Sequence, residues 1–392
     1  MKIVVDENMP LAEAFFSGFG SVVRLPGRLI TQQDLSDADA LMVRSVTTVN
    51  EALLANTSVK FVGSATIGVD HIDLDYLDKA GISCASAPGC NADAVVNYVI
   101  ASLLEIKSAR GIALDKATVG IVGLGNVGSR LQAALKDIGI SVLVCDPPKQ
   151  LSYQRRGDTS QAETFSSLEE VLAADIVSFH VPKVTEGPFA THHLLNFERL
   201  QSLKKGALII NTSRGSVIDN DALRSVLQER SDLSVVLDVW ANEPLLDREL
   251  ASLVDIATPH IAGYSYDGKI KGTHMVYQAY CRFLGQKSAI GIGDVIEEEM
   301  EQGVDFKAIG DSGPLTALRI IRAIYLIMED DMGLRSTLKK PQEERVAAFD
   351  QLRKHYRLRR EFSTVILRHV DWMLESISES ELRWLRAAGF CC

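Results

Sequence analysis

The stretch Val119-Gly-Ile-Val-Gly-Leu-Gly-Asn-Val-Gly128 decides the fold of this chain. Its apolar start is typical of a buried parallel strand, and Gly123, Gly125 and Gly128 have the spacing GxGxxG. In such a turn the first glycine permits the sharp bend, the second lets a ligand approach the backbone, and the third lets helix and strand pack closely. The pattern therefore predicts a strand, a glycine-rich turn and a helix over 129–138.

The residues that follow indicate what this turn binds. The next apolar run, 141–145, ends at Asp146, whose carboxylate can accept hydrogen bonds from a ribose diol. The N-terminus of the preceding helix offers free N–H groups and a positive dipole end to a pyrophosphate. A GxGxxG alone is weak evidence, but strand, glycines, helix, strand and acid in this order predict a dinucleotide site. The acid favours NAD over NADP because it repels a 2′-phosphate.

Composition limits the classes of protein and partner. A length of 392 residues predicts two or three domains. The net charge of −10 argues against nucleic acid or an anionic membrane as a partner. No apolar run approaches the roughly 20 residues of a membrane span. Six scattered cysteines, without CxxC or metal-ligand spacing, favour a reduced cytoplasm and no metal site.

Short apolar runs alternate with amphipathic helices from residue 2 to about residue 263, which is the rhythm of parallel α/β folds. About 95 residues precede the nucleotide-binding half, so we expect two Rossmann-like, doubly wound parallel-sheet domains. A helix over 92–108, with Asn91 as its N-cap, would connect them. The predicted strands are 2–5, 40–43, 60–63, 82–84, 118–122, 141–145, 175–179, 207–210, 234–237 and 255–257.

The domain boundaries follow from this pattern. Residues 1–95 with 266–287 are the expected substrate-binding domain, and 96–265 are the expected NAD-binding domain. The remaining segment, 288–392, is expected to be an α+β dimerisation domain. Its apolar helix over 314–329 would expose more apolar surface than a lone helix should, which favours a homodimer.

Arg214, Glu243 and His260 each come shortly after a predicted strand. Because ligands bind at the carboxyl ends of parallel strands, we expect all three on the cofactor edge of the sheet. His260 can exchange a proton near neutral pH, and Glu243 can orient its imidazole and stabilise the charged form. Arg214 has the planar fork that fits a carboxylate. Together they could oxidise an alcohol beside a carboxylate, with a nicotinamide accepting the hydride.

With these residues in place, the segment from Gly63-Ser-Ala-Thr-Ile-Gly to His260 resembles the D-isomer-specific 2-hydroxyacid dehydrogenases. The segments that begin at Val4, Val43 and Ala87 are similar to one branch of that family, which oxidises a phosphorylated sugar acid on the route to pyridoxal 5′-phosphate. The C-terminal segment from Phe349 resembles the dimerisation domain of the same branch.

The resemblance implies roles for the matching positions. Arg214, Glu243 and His260 become the catalytic set. Beside the three glycines, the implied cofactor contacts are Asn126, Val127, Asp146, Val181, Thr212, Ser213, Arg214, Asp238 and Gly263. The implied substrate contacts are Ser45, Thr66 and Tyr264. This sequence departs from the family pattern at Asn97, where Glu is common, and at Val181, where Thr is common.

The substrate phosphate requires cations. Arg44 follows a predicted strand beside Ser45 and is one candidate. Arg353, Arg359 and Arg360 could reach across a dimer interface, or they could form a solvated helix face with pairs such as Arg357–Glu361.

Three functions stay open from the sequence. The first is an NAD-dependent dehydrogenase of a small phosphorylated hydroxy acid. The second is another 2-hydroxyacid dehydrogenase, acting on glycerate, phosphoglycerate or lactate analogues. The third is a regulatory protein that senses NAD(H) on the same scaffold, as corepressors of this superfamily do.

Overall fold

The computed structural model describes residues 1–296, 303–311 and 313–392, which divide into two compact units. The first unit is Met1–Asp93 with the described part of Tyr264–Gln302, and the second is Ala94–Gly263 with Gly303–Cys392. The C-terminal segment thus joins the glycine-motif residues in one unit. The expected division into three domains stays a prediction. No helix in the described ranges is both long and apolar enough to cross a membrane.

The first unit is built on a parallel sheet with the strand order β2-β1-β3-β4-β5. Its inner strands are buried on both faces, which explains their continuous apolar runs. The edge strand β2 alternates only weakly and was not predicted. The elements are β1 (Lys2–Asp6), β2 (Ser21–Leu25), β3 (Ala40–Val43), β4 (Phe61–Ser64), β5 (Ser83–Ala85), α1 (Ala12–Phe16), α2 (Glu51–Leu54), α3 (Leu74–Lys79) and, after the second unit's first segment, α12 (Tyr266–Phe283).

The second unit contains a parallel sheet with the order β11-β10-β9-β8-β6-β7. The direction of winding reverses at β6, so its carboxyl end marks the crevice where ligands bind in such sheets. The predicted doubly wound α/β fold is confirmed. The elements are α4 (Ala92–Arg110), β6 (Thr118–Val122), α5 (Asn126–Ile138), β7 (Ser141–Cys145), α6 (Pro147–Arg155), α7 (Thr159–Ala162), α8 (Leu168–Leu172), β8 (Ile176–Phe179), α9 (Phe197–Ser202), β9 (Leu208–Asn211), α10 (Asn220–Glu229), β10 (Ser234–Leu237), α11 (Arg248–Leu253) and β11 (Ile256–Ala257).

The C-terminal segment is α+β and packs within the second unit. Leu334 and Phe349 lie in the same apolar core as residues of the six-stranded sheet. Asn97 of α4 donates to Ala388 O (2.7 Å) and accepts from Phe362 N (3.0 Å), so this departure from the family pattern binds the C-terminal segment. The elements are β12 (Gly303–Asp305), α13 (Phe306–Gly310), α14 (Ala317–Ile324), α15 (Ile327–Leu338), α16 (Gln342–Lys354), β13 (Ile366–Arg368), α17 (Val370–Ser376) and α18 (Glu379–Ala388).

The helix predicted over 314–329 is wrong as a single element. The chain leaves helical geometry at Tyr325 (φ −138°, ψ 96°), between α14 and α15. Arg357 donates to the carbonyl of Leu326 (3.1 Å), which also accepts from Glu329 N (3.1 Å) at the start of α15. Several of its apolar side chains, including Ile320 and Ile327, are fully buried within their own unit, whereas Leu318, Leu326 and Met328 are only partly buried. The homodimer stays a prediction.

Two smaller predictions are also wrong. Asn91 does not cap α4 with its side chain, because its buried Oδ1 has no hydrogen-bond partner among the described residues. Arg357 pairs with Asp330 (2.8 Å) and not with Glu361, because the interrupted helix brings α15 beside the 357 loop.

Two of the C-terminal arginines are buried, which contradicts the alternative of a solvated helix face. Arg359 and Arg360 are 3% and 7% exposed, and Arg359 binds carbonyl groups of its own chain. Arg359 is therefore satisfied within one protomer.

Candidate active site

The glycine-rich turn has the geometry that a dinucleotide requires. Gly123 has φ +95°, a left-handed conformation that favours glycine. A Cβ atom on Gly128 would lie 2.0 Å from Gly123 O, so only glycine permits this packing of helix on strand. A Cβ on Gly125 would meet nothing within 4 Å, so the space beside this backbone is open. Gly125 is the N-cap of α5, which leaves the first N–H groups of the helix facing that space.

Asp146 lies beside this turn, as predicted. Its Oδ2 accepts from Leu124 N (2.8 Å), and its Oδ1 accepts from Lys149 N (3.0 Å) at the start of α6. Lys149 Nζ donates to Leu124 O (2.8 Å). The carboxylate is thereby fixed against the glycine-rich turn while it stays partly exposed. The arrangement fits a ribose diol because each carboxylate oxygen can accept more than one hydrogen bond.

His180 links two of the predicted cofactor segments and was not among the predicted site residues. Its Nδ1 is 3.3 Å from Thr212 Oγ1, and its Nε2 is 2.9 Å from Ser178 Oγ. The carbonyl of His180 and a methyl group of Val181 lie under 3 Å from where a Cβ on Gly123 would be. Burial lowers the pKa of His180 to about 3, so this imidazole is neutral at physiological pH. The His-x-Pro pattern at 180–182 was the signal available in the sequence.

Arg214 lies in a tightly packed loop after β9. Its Nη1 donates to Ser213 O (2.9 Å), and its carbonyl accepts from Asn211 Nδ2 (3.0 Å). A Cβ on Gly215 would lie 1.9 Å from the carbonyl carbon of Trp240, so this loop and the Trp240 loop are in direct contact. Asn220 joins the two loops, since it donates to Gly215 O (3.3 Å) and accepts from Ala241 N (3.0 Å).

Glu243 and His260 form the pair that the sequence predicted. Glu243 Oε2 is 2.7 Å from His260 Nδ1, and Glu243 Oε1 accepts from Trp240 N (2.8 Å). Burial opposes ionisation of Glu243 most strongly, but His260, the Trp240 N–H and Arg353 of α16 outweigh it, so the pKa of Glu243 is lowered. The carboxylate is therefore ionised at neutral pH. The side chain of His260 is 34% exposed, and Nε2 is the ring nitrogen that does not contact Glu243.

The loop of His260 is held by a buried carboxylate. His260 has φ +58°, a conformation that costs about 1–3 kcal/mol for a residue other than glycine and persists only under strong constraint. Its N–H donates to Asp238 O (2.7 Å). The Asp238 side chain, 1% exposed, accepts from Ile261 N and Ala262 N (both 2.8 Å) and from the Thr258 hydroxyl (2.6 Å). Asp238 was predicted as a cofactor contact, and its described contacts fix the loop of His260.

The first unit contains the predicted substrate contacts. The guanidinium of Arg44 lies 6.0 Å from the centre of the Tyr264 ring, and Lys269 Nζ lies 5.1 Å from it. Ser45 is exposed, and Thr66 Oγ1 is 2.7 Å from Ser64 Oγ. Two cations, the predicted Arg44 and Lys269, thus lie beside Tyr264. Lys269 was missed because a lysine on a helix is usually solvated.

No group of three or more His, Cys, Asp or Glu side chains suited to a metal occurs in the described part of the chain. The second unit instead combines a dinucleotide cradle with a proton-exchanging pair and an arginine. These are the groups that an alcohol dehydrogenation with NAD requires of the protein.

Comparisons with known proteins agree with this chemistry. Residues 101–262 match the family model described as D-isomer specific 2-hydroxyacid dehydrogenase, NAD binding domain. Residues 301–389 match a domain family of unknown function. The chain therefore contains an NAD-binding domain of a 2-hydroxyacid dehydrogenase.

Curated relatives match almost the whole length. Erythronate-4-phosphate dehydrogenase of Pseudomonas fluorescens is 48% identical over 370 residues, which are 94% of this chain and 95% of the relative. The enzyme of that name from Escherichia coli O157:H7 is 48% identical over 369 residues, 93% of each chain.

Solved structures share the fold over about three quarters of the chain. A D-lactate dehydrogenase from Treponema pallidum has a TM-score of 0.58 at 25% identity and covers 74% of this chain and 100% of its own. A 3-phosphoglycerate dehydrogenase from Entamoeba histolytica, solved with NAD+, has a TM-score of 0.61 at 24% identity and covers 74% and 98%.

Proposed function

The chain belongs to the erythronate-4-phosphate dehydrogenases of the D-isomer-specific 2-hydroxyacid dehydrogenase family, and we propose that it oxidises 4-phospho-D-erythronate with NAD. The product would be (R)-3-hydroxy-2-oxo-4-phosphooxybutanoate, a step of cytoplasmic pyridoxal 5′-phosphate synthesis. The observation that carries the proposal is the 2.7 Å contact of Glu243 with His260 in the same unit as the dinucleotide cradle.

His260 is the proposed acid/base group. In the direction of oxidation its neutral Nε2 removes the proton of the 2-hydroxyl group, and the ionised Glu243 stabilises the imidazolium that forms. Bound NAD would accept the hydride from C2. The fixed position of Nδ1 against Glu243 determines which imidazole nitrogen faces the substrate.

Arg214 is the proposed ligand of the substrate carboxylate. A guanidinium binds a carboxylate with two parallel hydrogen bonds, which orients the carbon that is oxidised. Arg44 and Lys269 are the proposed ligands of the 4-phosphate, because both are cations beside Tyr264. Ser45, Thr66 and Tyr264 supply further polar contacts.

The proposed cofactor contacts surround the glycine-rich turn. The α5 N-terminus would bind the pyrophosphate and Asp146 the adenosine ribose. Because the imidazole of His180 is neutral, it adds no positive charge beside Thr212. The other proposed contacts are Asn126, Val127, Val181, Thr212, Ser213, Arg214, Asp238 and Gly263.

The test of the function is an initial-rate assay of NADH formation. Erythronate 4-phosphate is compared with unphosphorylated erythronate, glycerate and 3-phosphoglycerate at equal concentrations. The proposal expects the highest kcat/KM for erythronate 4-phosphate. A higher kcat/KM for glycerate or 3-phosphoglycerate would assign the chain to another dehydrogenase, and no turnover of any of the four would favour a sensing role.

Asp146 should make the enzyme prefer NAD to NADP. At 4 Å, two like charges repel by ~1 kcal/mol in water and by ~4 kcal/mol at a less hydrated site. Because the Asp146 carboxylate is partly exposed, its repulsion of a 2′-phosphate should be nearer the lower value. We therefore expect a preference of about 5- to 100-fold in kcat/KM. The two cofactors are compared with the wild type and with Asp146→Asn. The assignment fails if the wild type uses both equally.

The chain should form a homodimer through its C-terminal segment. The expectation rests on the resemblance to the dimerisation domain, and several apolar side chains there are exposed, including Met332 (59%) and Leu358 (48%). Light scattering of the full chain at micromolar concentration should give twice the mass of 42.9 kDa. Met332→Glu and Leu358→Glu should shift the protein towards the monomer, and a wild type that is already monomeric contradicts the prediction.

A further inference from the structure

Arg359, which lies in the C-terminal segment, contacts the loop of His260. One amino group of its guanidinium donates to Ile261 O (3.4 Å), and the other donates to Ala262 O and to Ala94 O (3.2 Å). The side chain is 3% exposed. A buried arginine is favourable only where hydrogen bonds replace its lost hydration, and here main-chain carbonyls supply them.

Aromatic and acidic groups of the same segment fix this arginine. The guanidinium carbon lies 4.4 Å from the centre of the Tyr325 ring, a cation–π contact. Asp330 supplies the nearby negative charge and accepts from the hydroxyl of Tyr356 (2.8 Å). The interruption between α14 and α15 places Tyr325 at this position.

The same two residues, Ile261 and Ala262, are held from both sides. The N–H groups of Ile261 and Ala262 donate to the Asp238 carboxylate, and their carbonyl groups accept from Arg359. These residues directly follow His260, which has the left-handed backbone conformation. Asp238 and Arg359 therefore fix the main chain that orients the imidazole towards Glu243.

We propose that Arg359 is a positioning residue for His260, so that the C-terminal segment forms part of the catalytic machinery of its own protomer. This inference rests on the proposed role of His260. Arg359 does not touch the reacting groups, and it acts through the carbonyl groups of Ile261 and Ala262. The charges of His260 and of Arg353 in α16 both lower the pKa of Glu243. Arg359 acts instead on the main chain that follows His260.

The test compares Arg359→Met with a matched control. Arg335→Met also removes a C-terminal arginine that donates to two main-chain carbonyls, Ala251 O (2.6 Å) and Val254 O (2.9 Å), but these lie at α11. We expect kcat of the Arg359 variant to fall at least about tenfold with KM for NAD changed less than about twofold. The control should lose thermal stability and keep kcat within about twofold of the wild type.

A second readout separates positioning from general destabilisation. The imidazole of His260 is titrated by NMR without cofactor in the wild type, in Arg359→Met and in Glu243→Gln. If Arg359 positions His260, its removal shifts the titration midpoint towards that of the Glu243 variant, whereas the control leaves the midpoint unchanged. Arg359→Lys should recover only part of kcat, because an ammonium group lacks the planar fork.

The outcomes are distinguishable. A folded Arg359→Met with wild-type kcat and midpoint overturns the inference and leaves the proposed function intact. If that variant does not fold, the same results in Arg359→Lys overturn it equally. Full activity of His260→Ala would overturn the proposed catalytic role, whatever the Arg359 variants show.

Discussion

Replacement of His260 with alanine should lower kcat by about 10²–10⁴-fold, the usual contribution of a positioned acid/base group. NAD binding should be nearly unchanged, because the proposed contacts of the dinucleotide surround Gly123 and Asp146. The measurements are kcat for erythronate 4-phosphate and the dissociation constant for NADH from fluorescence. His192→Ala is the control, since this histidine lies in the loop after Pro182 and has no proposed role. A kcat near that of the wild type would remove His260 from the mechanism.

The companion variant Glu243→Gln tests the coupling of the pair. In the oxidation direction the rate falls as pH drops, because protonated His260 cannot accept the hydroxyl proton. Glu243 carries a negative charge throughout this range, since its folded pKa lies below its usual value. A neutral amide no longer favours the imidazolium, so the acidic limb of kcat/KM should move to lower pH and kcat should fall. A limb that stays in place, or moves to higher pH, would mean that Glu243 only supports its loop.

The lowered pKa of Glu243 also makes the stability of the folded protein depend on pH. A carboxylate with a depressed folded pKa stabilises the native state above its unfolded pKa of about 4.5, and that contribution is lost as pH falls through the folded value. Acid should therefore destabilise the folded protein when it discharges Glu243.

The sequence predicted the central sheet because local patterns determine it. Buried parallel strands appear as continuous apolar runs, and the glycine-rich turn requires glycine at fixed positions for steric reasons. Both features can be recognised in a single sequence. The predicted strand 118–122 agrees with β6 residue for residue. The exposed edge strand β2 lacks such a run, and its place in the sheet depends on pairing with β1.

The C-terminal segment shows where local patterns fail. The 3.6-residue periodicity of 314–329 predicts one helix, but the chain bends at Tyr325 so that its ring packs on Arg359. Arg359 itself looks like one of several charges on a solvated helix. Its burial depends on carbonyl groups nearly 100 residues earlier in the chain, and such long-range contacts leave no periodic signal.

In the candidate site, too, local patterns predicted some residues and missed others. Arg214, Glu243 and His260 could be found because strand ends in a parallel sheet share one edge. His180 left only the His-x-Pro pattern as a signal, whereas Asn220 and Lys269 left none, because Asn220 acts by joining two loops and a lysine on a helix is usually solvated. Asp238 is a further case, because the sequence suggested a cofactor ligand and the structure gives its carboxylate three hydrogen bonds within the loop of His260.

Arg214→Met should lower kcat/KM by about 30- to 5,000-fold, because loss of one partner of a desolvated charge pair costs about 2–5 kcal/mol. Arg214→Lys retains the charge but provides a single ammonium group in place of the planar fork, so it should recover only part of the loss. Both variants are assayed with erythronate 4-phosphate under subsaturating conditions, where kcat/KM is measured directly.

The control for Arg214 is Arg230→Lys, which also removes a two-pronged contact with a carboxylate. Arg230 binds Asp232 through Nε and Nη2 at 2.8 Å each, and it lies after α10 without a proposed role in the reaction. Its replacement should lower the melting temperature and leave kcat/KM within about twofold. If Arg214→Lys behaves like this control, the arginine does not bind the substrate carboxylate, and its packed loop serves only to connect β9 with the Trp240 segment.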